Sequence, residues 1–190
     1  KDRILAYLRA LGEAGPQEGI LDDHMQLQPV VHVYPDGTAK GRWHHFSQES
    51  EFGVSHHWGA GTYENDYVKE DGVWKINKLH LYSTMRTPFD DGWHVTALPR
   101  TEPSQELPSD LPPSVDYENY PAVFVPPFHY SNPVTEPYDP LVGFSNSNIV
   151  IEDDMASTLD ALEKRLGLLE DADDVERLHT IYGYYLARNQ

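Results

Sequence analysis

Pro35-Asp36-Gly37 stands between two runs rich in β-branched and aromatic residues, and it constrains the fold more than any other feature. Asp-Gly supplies the positive-φ positions that a short antiparallel turn needs, so residues 24–46 read as a hairpin. Residues 56–68 read as a further strand, 69–72 as a turn, and 73–85 as one partner strand. A helix over 2–11 comes first, with Ile4, Leu5, Leu8 and Leu11 on one stripe, and Gly12 and Gly15-Pro16 ending it. One helix followed by four antiparallel strands predicts an α+β domain.

After residue 100 the pattern changes. Residues 101–140 hold ten of the fifteen prolines, which excludes a central strand or a helix. A disordered tail would be poor in aromatics. This stretch carries Tyr117, Tyr120, Phe124, Phe128, Tyr130 and Tyr138, so the expectation is an extended arm that wraps a folded surface, its own or a partner subunit's. Residues 145–155 read as a joint, and two helices are expected beyond it. In the first, Leu159, Leu162, Leu166 and Leu169 form an apolar seam suited to another helix, with Ser157 as N-cap and Gly167 weakening its end. Asp171 and Asp174 open the second, with Val175, Leu178, Ile181, Tyr182 and Tyr185 on one side. The division expected is a main domain over 1–100, an arm and joint over 101–154, and helices over 155–190.

Charge narrows the function. Thirty-one acids against fourteen bases give a net charge of −17, the wrong sign for a nucleic-acid or anionic-membrane surface. With no cysteine, disulfides, thiolate nucleophiles and Cys-ligated metals are excluded. The sequence shows no phosphate-binding glycine loop and no serine-nucleophile elbow, so no cofactor is expected. His44-His45 and His56-His57 offer at most one ligand per pair to one site. His45 and His57 are the two that could meet across strands, without an evident third ligand. No metal is expected. Neither an apolar run long enough to span a membrane nor a secretion signal is evident, so cytoplasm is the expected compartment.

Residues 60–93, AGTYENDYVKEDGVWKINKLHLYSTMRTPFDDGW, resemble the closing hairpin of SnoaL-like domains, from the superfamily named after nuclear transport factor 2. Residues 19–43 resemble the preceding hairpin of those domains, and 169–190 resemble their first helix. The resemblance implies a strongly curved antiparallel sheet forming a cone closed by helices. It also implies a permuted order, because the family's first helix stands last here and a short helix plus a strand would be absent between Gln190 and Lys1. Three arrangements account for this: a true start at Met155, a fragment of a tandem repeat, or a circular permutation. In each, 169–190 should pack across the sheet of residues 20–86.

Family members include ketosteroid isomerase, scytalone dehydratase, polyketide cyclases and limonene epoxide hydrolase, and fold alone does not choose among them. The resemblance implies that His24 matches a pocket histidine of scytalone dehydratase. A neutral imidazole there moves a proton near neutral pH, and a structural histidine at a strand end is the alternative. His179 falls where ketosteroid isomerase has an oxyanion-stabilising tyrosine; a helix-face histidine is the alternative. Tyr63 shares a strand face with Gly59, Gly61, Asn65 and Tyr67, glycines that either leave room for a flat ligand or mark a bulge. Tyr182 and Tyr185 on the helix, Asn65 and His45 on the strands, and Trp58 and His80 complete the expected lining. Ala187 departs from the family, which has an aspartate near that point, and this weakens a simple dehydratase assignment. The reading that results is cofactor-free lyase chemistry on a hydrophobic aromatic or polycyclic small molecule. The alternatives are an isomerase or cyclase, and a non-catalytic binding or dimerisation module. A homodimer or higher homo-oligomer is expected from the leucine seam and the arm.

Overall fold

The computed structural model describes residues 15–100, 108–132 and 155–186, together with Ala6, Gln105, Val134 and Thr135. Apart from Ala6, the expected helix over 2–11 lies outside the described residues, as do Ala187, Tyr138 and most of the 145–155 joint. Five antiparallel strands form one sheet: β1 (Ile20–Val33), β2 (Thr38–Glu51), β3 (Ser55–Glu70), β4 (Val73–Lys78) and β5 (Leu81–Pro88). One long helix among the described residues, α1 (Met155–Leu186), packs on it through β1 and β4.

The turns form where the sequence placed them. Tyr34 N–H donates to the Thr38 carbonyl across Pro35-Asp36-Gly37, and Gly37 has φ +79°. Asp71 and Gly72 both have positive φ between β3 and β4, as a type I′ turn requires. The expected single strand over 73–85 is two strands. β4 pairs with one end of β3 and β5 with the other, and the chain breaks at Leu79-His80. There Asn65 Oδ1 accepts the His80 N–H at 2.9 Å, so a side chain of β3 takes a bond that the ladder would have made. Register shifts at Leu27/Val30, Ala60/Gly61 and Asp66/Tyr67 bend the sheet into its curve.

The two helices expected near the C-terminus are one helix of 32 residues. Gly167 lies inside it, and Ser157 is a helical residue rather than a cap. Asp171 opens nothing; its carboxylate accepts from Trp74 Nε1 at 3.0 Å and from Lys69 Nζ, pinning the helix to the β3–β4 end of the sheet. The buried stripe is Leu168, Val175, His179 and Gly183, whereas Ile181 and Tyr185 are exposed. Leu159, Leu162, Leu166 and Leu169 are also exposed.

Strand alternation and register give the sheet two faces. Toward α1 point Val33, Ala39, Trp43, Tyr63 and Tyr67, which with Trp74, Leu168 and Val175 form the core. On the other face, residues 108–132, without regular secondary structure, lie against β1, β2, β3 and β5. Tyr117 OH donates to the Ser83 carbonyl, Tyr120 N–H to the Thr84 carbonyl, and His129 reaches both His32 and Glu64. Among the described residues no helix is long and apolar enough to cross a membrane.

Candidate functional site

Asp22, His24 and Gln26 alternate along β1, so all three project to the α1 side. His45 on β2 is the register partner of Gln26 and also of Gly61 on β3. His24 Nε2–H donates to Asp22 Oδ1 at 2.8 Å. Its Nδ1 is then the acceptor, and His45 Nε2–H donates to it at 3.0 Å. The chain Asp22–His24–His45 runs from solvent to core: the side chains of Asp22 and His24 are 40 % and 17 % exposed and His45 is buried. Burial first, and His24 second, pull the His45 pKa down to about 4. His45 is therefore neutral near pH 7, and donation through Nε2 leaves Nδ1 as its basic nitrogen.

His179 stands on α1 over the same region and is 0 % exposed. Its ring lies 4.0 Å from that of Trp43, and Tyr63 is edge-on to both His179 and His45, at 5.1 and 5.4 Å. Asn65 fixes its tautomer. Because Asn65 Oδ1 is taken by the His80 N–H, its Nδ2 is the donor, to Tyr67 OH at 3.1 Å and to His179 Nδ1 at 3.4 Å. His179 Nδ1 accepts, so the proton sits on Nε2. That Nε2–H is buried and has no hydrogen-bond partner among the described residues. Burial first, then His45, pull the His179 pKa to about 3, so it is a neutral donor.

Gln26 supplies a second such donor. Its Nε2 is also buried without a partner, and its amide fills the space over Gly183, where an added Cβ would lie 1.6 Å from Oε1. Gly183 is one helical turn beyond His179. Two N–H donors therefore sit beside the Asp22–His24–His45 chain with no acceptor of their own.

The structure thus brings together His24, His45, Tyr63, Asn65 and His179, with Tyr182 stacked on His179 at 5.7 Å. Three other residues expected in the lining are elsewhere. Tyr185 is exposed. Trp58, one residue out of phase with Gly59 and Tyr63, points to the opposite face and stacks on Phe89. His80 contributes its backbone N–H, while its ring stacks on Tyr82. The glycines leave no slot for a flat ligand. Ser47 Oγ is 2.2 Å from where a Gly59 Cβ would stand, and the Tyr82 carbonyl 2.5 Å from that of Gly61, at the bulge. His45 and His57 share a face but lie four positions apart in register, and no three His, Asp or Glu among the described residues cluster to hold a metal.

Asp22 and Gln26 were missed by sequence reasoning, although a signal was there. Alternation places Asp22 and Gln26 on the same face of the strand as His24, a residue the sequence already singles out. Residues 1–80 match the family model of the SnoaL-like domain. That match spans β1 to β4 and contains Asp22, His24, Gln26, His45, Tyr63 and Asn65. The remainder of the chain, including β5, residues 108–132 and α1, lies beyond it. No curated protein matches the chain. The curved five-stranded sheet with its C-terminal helix is consistent with the nuclear transport factor 2-like fold to which SnoaL-like domains belong. His179 therefore reaches the candidate site from outside the matched stretch.

Proposed function

We propose that the chain is an acid–base lyase of dehydratase type, working without a cofactor on a hydrophobic aromatic or polycyclic small molecule. The observation that carries this is the unpartnered His179 Nε2–H, a buried neutral donor beside a carboxylate–His–His chain that reaches solvent. In this reading His45 Nδ1 takes a proton from a carbon next to a carbonyl or phenol. The electron pair moves onto the oxygen, where His179 and Gln26 hold it. His45 passes its Nε2 proton to His24, which Asp22 orients; the pair then returns from the oxygen and breaks the bond from the adjacent carbon to its hydroxyl, which leaves as water with the proton that the His24–His45 relay gives back.

A second reading, an isomerase or cyclase, uses the same donors, because an oxyanion is held whether or not a fragment leaves. Product mass separates the two. The test is turnover of a panel of hydroxy-aryl ketones followed by mass spectrometry. Loss of water is expected, and His24→Ala should lower kcat by about 10²–10⁴-fold. Unchanged turnover in His24→Ala would remove the relay from the mechanism. The exposed leucine seam on α1 supports a homodimer, which sedimentation would test.

A further inference from the structure

A separate cavity of ≈ 410 Å³ lies between residues 97–100 and 117–121. It is within the ~300–1,000 Å³ range of small-molecule sites. Its walls are strapped to the edge of β5 that does not face β3. Leu98 N–H donates to the Arg86 carbonyl, and Tyr120 N–H to the Thr84 carbonyl, each at 2.8 Å. Ala122 N–H holds the Asn119 carbonyl at 3.0 Å, so the wall is fixed where Asn119 joins it.

Asn119 is 9 % exposed, and both its amide nitrogen and its amide oxygen are buried without a partner among the described residues. An amide left unpaired at both ends is destabilising unless something supplies a donor and an acceptor at matching spacing. Another amide does so. On the same cavity's lining, the Arg100 guanidinium lies 4.5 Å over the Tyr117 ring, which Phe124 backs at 3.9 Å. Its ion partner, Asp116, is 3.7 Å away with a fully exposed side chain, so solvent screens that pair. In a chain of net charge −17, this is a fixed, planar cation, shaped to take a carboxylate. Leu98, Pro99 and Pro121 give apolar wall. Glu118, exposed at the rim, disfavours a second negative charge.

We infer that this cavity binds an N-acyl amino acid with an apolar side chain, its amide on Asn119 and its carboxylate on Arg100. A free acyl amino acid and the C-terminal residue of a peptide share that chemistry.

Calorimetric titration of the full chain tests it, with N-acetyl-leucine, N-acetyl-leucinamide and an acetylated tetrapeptide ending in leucine. N-acetyl-leucine should bind saturably at millimolar concentrations or below. Capping its carboxylate as the amide should weaken binding roughly tenfold or more, as should Arg100→Gln. Asn119→Leu should weaken it to a similar extent while keeping or raising Tm, since it removes an unpaired amide. Arg100 is at the surface, so its variant reports binding even if Asn119→Leu fails to fold. Tighter binding of the tetrapeptide assigns a peptide terminus as the source, and equal or weaker binding assigns the free acid. Absence of saturation with N-acetyl-leucine, or wild-type affinity in either variant, overturns the assignment.

Discussion

The sheet carries the same three-residue chain on both faces. Toward α1, Asp22 accepts from His24, which accepts from His45. Toward residues 108–132, Glu64 accepts from His129, which accepts from His32, both at 2.8 Å. Both run carboxylate–His–His with the same donor order, though one acid is Asp22 and the other Glu64, and the ends differ. The outer carboxylate is also bound by Arg42, which donates to the Pro127 carbonyl and lies 3.9 Å over the Phe128 ring. Glu64, His129 and Arg42 are all nearly excluded from water. The inner chain starts at a half-exposed aspartate and ends beside donors that nothing satisfies. A closed carboxylate–His–His chain is a latch; an open one can move a proton. The difference lies in what surrounds each chain: the Arg42 guanidinium on the outer carboxylate, and unpartnered donors beside the inner imidazoles.

The outer latch gives the largest expected effect. Glu64→Gln leaves the Arg42 charge buried and His129 without its carboxylate, which should cost about 3–5 kcal/mol. Urea unfolding measures it, and limited proteolysis should cut within residues 108–132 at low protease. A loss below about 1 kcal/mol would mean that the outer chain does not hold those residues down, and the contrast with the inner face would fail.

The inner chain should govern pH dependence. The folded pKa values of His45 and His179, about 4 and about 3, lie below the ordinary imidazole value of 6.5. The unfolded chain therefore binds more protons in between, so stability is complete above about pH 6.5 and falls as pH drops toward 4. From about pH 7 to pH 5 the two together should cost about 3–4 kcal/mol. His179→Gln should remove roughly half of that slope. A slope unchanged in that variant would mean that His179 is not neutral and buried in solution.

These two chains also mark where sequence reading stops. Strands and turns were legible because alternation and Asp-Gly or Gly pairs are local signals. The α1 face was misjudged because the buried stripe is not the apolar one: His179 and Gly183 go inside, facing a polar β1, while Ile181 and Tyr185 stay out. The break at Leu79-His80 was invisible because it is made by the side chain of Asn65, fifteen residues earlier. His24, His45, Asn65 and His179 were named individually, but the tautomer that makes His179 a donor follows only from the His80–Asn65–His179 sequence of bonds. The outer latch joins residues 65 and 97 positions apart, beyond any local pattern.

The smallest expected effect discriminates best between the two faces. Asp22→Asn keeps an oxygen that accepts from His24 Nε2 but removes the charge. Because Asp22 is partly exposed, the loss of stability should stay below about 1 kcal/mol, against several for Glu64→Gln. Under the proposed relay, turnover should fall more than stability does, because Asp22 would orient the imidazole that receives the proton, and the acid limb of the pH–rate profile should move with it. Equal destabilisation by Asp22→Asn and Glu64→Gln, with turnover and the pH–rate profile unmoved, would make both chains latches. The catalytic reading of the inner face would then rest on His179 and Gln26 alone.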